Sequence, residues 1–166
     1  RFYPNVRDKI LEVSLPEHGI TNYGSVNYND EYNKTYSQTE TKVYSDNENM
    51  TLARYPNTGM LRLGEIIDWG PKELSEDHGE GHEWVMADDV PLHWQYKDDI
   101  GVFAYYSYNY WPERKRIMGF NSDKMSVRCF GRVGNAEKLF RNTSQNTYYF
   151  YNVLEELDTE GEWYID

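Results

Sequence analysis

The stretch that decides the fold is Val102-Phe103-Ala104-Tyr105-Tyr106-Ser107-Tyr108-Asn109-Tyr110, which is rich in aromatic residues. Aromatic residues favour strands, and successive side chains of a strand point to opposite faces. One face then carries residues 102, 104, 106, 108 and 110, and the other face carries residues 103, 105, 107 and 109. The pattern predicts a β-strand with an aromatic surface.

The sequence on both sides predicts further short strands separated by turns. We predict them at 9–15, 42–45, 50–55, 60–67, 84–90, 116–120, 124–130 and 146–153. Turn chemistry occurs at 56–59 and at 121–123, and helical turns are expected only at 153–158 and 73–77. Region 22–41 is polar and reads as a long loop or a hairpin. Such a series predicts an all-β fold, an antiparallel sandwich or barrel with little helix, in one domain spanning residues 1–166.

Charge and hydropathy exclude several classes of function. The chain has 28 acidic and 17 basic side chains and a formal net charge of −11. An acidic surface disfavours binding to nucleic acids and to anionic membranes. Since no run approaches the roughly 18 apolar residues of a membrane helix, no membrane insertion is expected. The single cysteine, Cys129, lies in a predicted strand and is expected to be buried.

The aromatic content admits two interpretations. The chain contains 16 Tyr, 6 Phe and 5 Trp. These rings either fill the core of a β domain or form a platform on which sugar rings stack. Core packing is the alternative for each ring, and at least half of the candidates are expected to be buried. The candidate carbohydrate contacts are Trp69, Trp84, Trp94, Tyr106, Tyr108 and Trp111.

One short segment suggests a metal site. His78-Gly79-Glu80-Gly81-His82-Glu83 contains two imidazoles with carboxylates beside them, which are ligands that zinc accepts. The glycines argue against the helix that a zincin motif needs, so a solvated acidic loop is the alternative. His78 and His82 are the candidate ligands.

Acidic doublets occur at 88–89, 98–99 and 155–156. Calcium binding by these doublets is a further alternative, and no other cofactor is expected. Neighbouring residues of a strand point to opposite faces, so no doublet makes a catalytic carboxylate pair by itself.

Several phrases of the chain resemble bacterial glycoside hydrolases of the right-handed parallel β-helix class. Residues 6–13 with 19–24 resemble their "R-x-K-V-L-x-V-D-L…G-I-T-D-x-G", and residues 50–57 resemble "M-T-L-A-R-W-P-N". Residues 151–158 and 161–166 resemble "N-x-L-E-E-L-D-x-P-G-E-W-Y-L-D". The chain departs from these phrases at Tyr55, where the family has Trp, and at Glu160, where it has Pro.

The resemblance implies a β-sandwich or barrel inserted between coils of a β-helix, in enzymes related to β-xylosidases and to xylan- or fucoside-cleaving hydrolases. The family's catalytic carboxylates lie on the β-helix, so no catalytic residue is transferred to this chain. The expected function is a non-catalytic accessory domain that contributes to carbohydrate binding by a secreted or cell-surface enzyme. Its expected partners are a glycan and the β-helix domain of the same parent chain, with Trp163 at their junction.

Two alternatives stay open beside this interpretation. The first is an autonomous carbohydrate-binding module, and the second is a purely structural cap on the β-helix. An inserted domain should bring its termini close together, so the first and last strands are expected to pair.

Overall fold

The computed structural model describes residues 6–22, 42–70, 81–106, 112–131, 133 and 145–165. Short 3-10 helices occur at Arg7–Lys9, Pro16–His18, Val90–His93 and Leu154–Glu156. The strands are β1 (Tyr44–Ser45), β2 (Glu48–Asn49), β3 (Thr51–Leu52), β4 (Arg54–Tyr55), β5 (Leu61–Arg62), β6 (Ile66–Asp68), β7 (His82–Val85), β8 (Gly101–Tyr105), β9 (Glu113–Asn121), β10 (Ser126–Cys129), β11 (Thr147–Tyr151) and β12 (Glu162–Trp163). The predicted all-β class is confirmed.

An antiparallel sheet of eight strands organises the fold. Its order is β4-β11-β8-β9-β10-β7-β6, and β5 also pairs with β11. Residues 61–68 connect the two sides of this sheet, because β5 pairs with β11 while β6 pairs with β7. Between them, the Leu63 amide donates to the Asn146 carbonyl over 2.9 Å, and the Val85 amide donates to the Glu65 carbonyl over 2.9 Å. The hydrogen-bonded ring is continuous, so the sheet closes into a barrel.

The barrel interior is filled by the inward residues of each strand. On β11, Tyr148 and Phe150 are fully buried while Tyr149 between them is not. Trp84 packs against both, with ring centroids 4.4 Å from Tyr148 and 6.3 Å from Phe150. Burying a large apolar side chain stabilises a fold by about 1.5–3 kcal/mol, so this aromatic cluster contributes much of the stability. Cys129 is also buried, as predicted.

Two strand predictions need correction. The strand predicted at 84–90 lies earlier, at His82–Val85, because residues 87–89 bend away from the ladder and lead into the 3-10 helix Val90–His93. The segment 9–15 is not a strand, and Leu11 and Val13 are 91% and 61% exposed. An alternating pattern forms a strand only beside a partner strand, and none of the described strands pairs with this segment.

The last strand pairs in a different way from the barrel strands. β12 lies parallel to β3, with Glu162 opposite Thr51 and Trp163 opposite Leu52. The sequence led us to expect that the last strand pairs with the segment 9–15. This expectation is wrong, because β12 pairs with β3. The barrel follows β3 and precedes β12, so the chain enters and leaves the barrel through neighbouring parallel strands. Residues 1–5 and 166, on which the distance between the termini depends, lie outside the described residues.

No helix within the described ranges is long and apolar enough to cross a membrane.

Candidate functional site

One end of the barrel interior is polar. His82 at the start of β7, Tyr106 after β8 and Lys115 on β9 are all buried there. His82 Nε2 lies 2.9 Å from the Tyr106 hydroxyl, and His82 Nδ1 lies 2.9 Å from the Gly131 carbonyl oxygen. Lys115 Nζ lies 3.4 Å from a carboxylate oxygen of Glu113. These contacts satisfy polar groups that would otherwise be costly to bury.

The hydrogen bonds of His82 fix its tautomer. A carbonyl oxygen only accepts, so Nδ1 carries the proton that it donates to Gly131. Nε2 is then the acceptor for the Tyr106 hydroxyl. Burial lowers the pKa of His82 to about 3, and the charges of Lys115 and Arg128 add to this effect. The imidazole is therefore neutral at physiological pH, with both nitrogens in hydrogen bonds.

The predicted metal segment is divided between the two faces of β7. His82 points into the barrel, whereas Glu83 points outward and accepts from Ser126 Oγ over 2.6 Å and from Arg128 Nη2 over 2.8 Å. Burial opposes ionisation of Glu83, but these hydrogen bonds outweigh it and lower the pKa of its carboxyl. His78 lies outside the described residues. Among the residues that the structure describes, no group of three or more His, Cys, Asp or Glu side chains is placed to hold a metal ion.

The acidic doublet Glu155-Glu156 is buried. Glu155 Oε1 accepts from the backbone amides of Gln95 and Tyr96 over 2.6 and 3.0 Å. Glu156 Oε1 accepts from the Trp94 indole nitrogen over 2.7 Å. Burial raises the pKa of Glu156 to about 7, and the hydrogen bond from Trp94 only partly offsets this. The two carboxyls hold the loop 94–96 in place and do not face each other across a cleft.

Most of the described aromatic candidates belong to the core. Trp84, Trp94 and Tyr106 are 0%, 4% and 1% exposed, so their rings have no free face for a sugar. Trp69 is half-buried, packs against the core and accepts the Val133 amide with its carbonyl. Tyr108 and Trp111 lie outside the described residues, and their role stays a prediction.

A different set of aromatic residues lies on the outside of the barrel. The register places Tyr149 opposite Phe103, and Phe103 opposite Arg114. In the neighbouring rows Tyr151 pairs with Arg54, and Thr147 pairs with Arg62. These residues lie on β4, β5, β8, β9 and β11. We call the outward side chains there the outer face, which comprises Arg54, Arg62, Phe103, Tyr105, Arg114, Arg116, Thr147, Tyr149 and Tyr151.

The centre of the outer face is a stack that crosses four strands. The guanidinium carbon of Arg54 lies 3.7 Å from the centroid of Tyr149. The rings of Tyr149 and Phe103 are 5.0 Å apart with an interplanar angle of 21°. Arg114 lies over Phe103, 5.3 Å from its centroid. The stack joins β4, β11, β8 and β9 and presents guanidinium groups at both ends.

A glycine makes room beside this stack. Gly101 lies opposite Tyr151, and a Cβ atom at this position would collide with the Tyr151 ring. The ring therefore lies across the glycine, where it is nearly buried.

The structure places the candidate Tyr106 on the inward side of the strand 102–106. The side with Tyr106 also carries Val102 and Ala104, and all three are buried. The opposite side, with Phe103 and Tyr105, faces outward. The signal was present in the sequence, because the side with two aliphatic residues is the natural core side of a half-buried strand.

Comparison with family models, with curated proteins and with solved structures finds no match for this chain. The resemblance to β-helix glycoside hydrolases therefore stays a prediction.

Proposed function

We propose that this chain is a non-catalytic barrel domain of a longer, secreted glycan-degrading enzyme and contributes to its carbohydrate binding. The observation that carries the proposal is the parallel pairing of β3 and β12 on either side of the barrel. The Thr51 amide donates to the Gly161 carbonyl over 2.9 Å, and the Ala53 amide donates to the Trp163 carbonyl over 2.8 Å.

A parallel pair of two short strands has little stability alone. Parallel sheets occur almost only where further strands and packed layers cover them. The pair is thus suited to be part of a larger parallel sheet, in which the barrel is an insertion between two strands. The exposed Leu11 and Val13 support the same view, since large apolar side chains this exposed are suited to pack against a partner domain. The parallel β-helix of the parent chain is the partner that we propose.

The outer face supports the carbohydrate part of the proposal. Sugars are bound by hydrogen bonds from planar polar groups and by contacts with aromatic rings. On the outer face Arg62 is exposed, and Tyr105 and Arg114 are half-buried. An autonomous carbohydrate-binding module is the second candidate, and the same surface favours it because that surface belongs wholly to the barrel. In both cases hydrolysis is assigned to residues outside this chain.

Calorimetric titration of the chain against xylo-oligosaccharides, pectic fragments and host-type oligosaccharides tests the proposal. The expected result is saturable binding of at least one glycan, without release of reducing ends. A folded chain that binds no glycan would contradict carbohydrate binding and leave the structural cap. Hydrolysis by the chain itself would contradict the non-catalytic role.

A further inference from the structure

We propose that the buried carboxyl groups of Glu155 and Glu156 form a pH-sensitive latch, which holds residues 94–99 against the barrel at acidic pH and loosens them at alkaline pH. Such a latch goes beyond carbohydrate binding and does not depend on it.

The segment that the latch holds has no strand ladder of its own. Residues 94–99 lie between a 3-10 helix and β8 and belong to none of the described strands. Glu156 accepts from the Trp94 indole over 2.7 Å, and Glu155 accepts from the two following backbone amides over 2.6 and 3.0 Å. A segment held by side chains opens at a lower free-energy cost than the paired strands beside it.

The Trp94 ring belongs to the core on the inner side of this segment. Its centroid lies 5.3 Å from that of Phe150, 5.9 Å from that of Phe120 and 6.0 Å from that of Tyr55. The Tyr55 hydroxyl donates to Asp88 over 2.9 Å, so the carboxylate on that side of the ring has a partner. Burial of the indole ring favours the closed state at every pH, and an electrostatic cost is needed to loosen it.

The charges around Glu156 supply this cost. Glu155 precedes it in the same 3-10 helix, Asp158 follows by two residues and Glu162 lies on β12. Burial is the main cause that raises the pKa of Glu156 to about 7; the hydrogen bond from Trp94 partly offsets it, and the three negative charges add to it. Ionisation therefore places a buried charge beside three others of the same sign, and opening relieves the repulsion by hydrating the carboxyls.

The neighbouring cations act on other groups. The charge of Arg54 acts on Glu162, and its guanidinium group donates to two backbone carbonyls. Lys97, within the segment itself, donates to the Leu92 carbonyl over 3.2 Å. Among the described residues, the charges that act most strongly on Glu156 are all negative.

The far end of the segment is anchored without the two buried carboxyls. Asp99 forms an ion pair with Arg116 over 2.8 Å, and its carbonyl accepts from the Asn152 side chain over 3.2 Å. Opening is therefore expected at the Trp94 end, while Asp99 stays attached to the barrel.

Hydrogen exchange of the Trp94 indole and of the Gln95 and Tyr96 amides, followed by NMR at pH 5 and pH 8, tests the latch. After correction for intrinsic exchange rates, their protection should fall by about 30-fold between these pH values. The fall should be absent in Glu156→Gln, where no charge can develop. Glu160→Gln replaces an exposed acid of the neighbouring turn and, as the matched control, should behave like the original chain.

Low concentrations of urea separate local opening from global unfolding. Exchange through the latch should be insensitive to urea because little surface is exposed, whereas exchange of the β8 amides should accelerate. Equal urea dependence, equal protection at both pH values, or the same fall in Glu156→Gln would overturn the latch.

A second variant keeps the test decisive if Glu156→Gln does not fold. Glu162→Gln removes one of the negative charges that raise the pKa of Glu156, so the midpoint of the opening should move to lower pH. A midpoint that stays at the same pH would overturn the latch.

Discussion

Arg54 lies over the ring of Tyr149 with its guanidinium carbon 3.7 Å from the ring centroid, and the same guanidinium group donates to the Pro56 and Gly59 carbonyls. This contact ties β4 and the following turn to β11. Lysine keeps the charge but cannot make the planar contact and both hydrogen bonds.

We therefore expect Arg54→Lys to lower the free energy of unfolding by about 1–2 kcal/mol. Urea denaturation followed by tryptophan fluorescence measures this change. Arg7→Lys is the control and should have no effect. An Arg54→Lys variant as stable as the original chain would contradict a framework role for Arg54.

Gly101 and Gly119 both lie in strands of the barrel but have different surroundings. A Cβ at Gly101 would meet the Tyr151 ring, whereas a Cβ at Gly119 meets nothing within 4 Å. Gly101→Ala should lower the free energy of unfolding by about 1–3 kcal/mol through overpacking, and Gly119→Ala should be neutral or stabilising. Urea denaturation of both variants makes the comparison, and equal effects would show that Tyr151 does not lie across Gly101.

His82 is expected to stay neutral in the folded chain. Its pKa is lowered to about 3, against 6.5 in an unfolded chain. As the pH falls below about 6.5, the unfolded chain takes up a proton that the folded chain does not, so stability declines towards pH 3. The imidazole C2 proton in NMR spectra should show no titration between pH 5 and 8. A titration centred near pH 6.5 would contradict the buried contacts with Gly131 and Tyr106.

The raised pKa of Glu156 predicts that its effect on the free energy of unfolding changes with pH in the opposite direction to that of His82. Burial raises its pKa to about 7 from 4.5, so between these values the folded chain holds a proton that the unfolded chain has released. Its contribution to stability is therefore present below pH 4.5 and is lost as the pH rises to 7, by about 2 kcal/mol.

Glu156→Gln keeps an acceptor for Trp94 and should remove this part of the pH dependence. Urea denaturation of the original and variant chains at pH 5 and pH 8 checks it, since the difference between the chains cancels the other groups. An unchanged difference between the two pH values would contradict a protonated Glu156.

The sequence predicted the class of fold well because strand alternation and turn chemistry are local signals. Residues 102–106 alternate as expected, and the turn at 121–123 joins β9 to β10. Closure into a barrel was not predictable, because it depends on residues 61–68 bonding at one end to β11 and at the other end to β7. No local pattern encodes a pairing between segments so far apart in the sequence.

The candidate surface was harder to predict than the fold. Trp84 and Trp94 were candidates because an exposed indole ring can stack on a sugar ring, but an indole also fills a core well, and both are buried. No local sequence pattern marked the arginines of the outer face as candidate contacts. Arg54, Arg62 and Arg114 are separated in the sequence, and only strand register brings them to one face of the sheet.

The most direct test of the central claim is the location of glycan binding, measured by NMR chemical-shift changes of the isotope-labelled chain during titration with the oligosaccharide that binds most tightly in the calorimetric series. We expect the largest changes at Arg62, Tyr105, Arg114 and Tyr149. We expect only small changes at His82 and Trp94, which are buried. Saturable binding whose changes cluster around Trp69 and Val133, or the absence of any change, would contradict the claim.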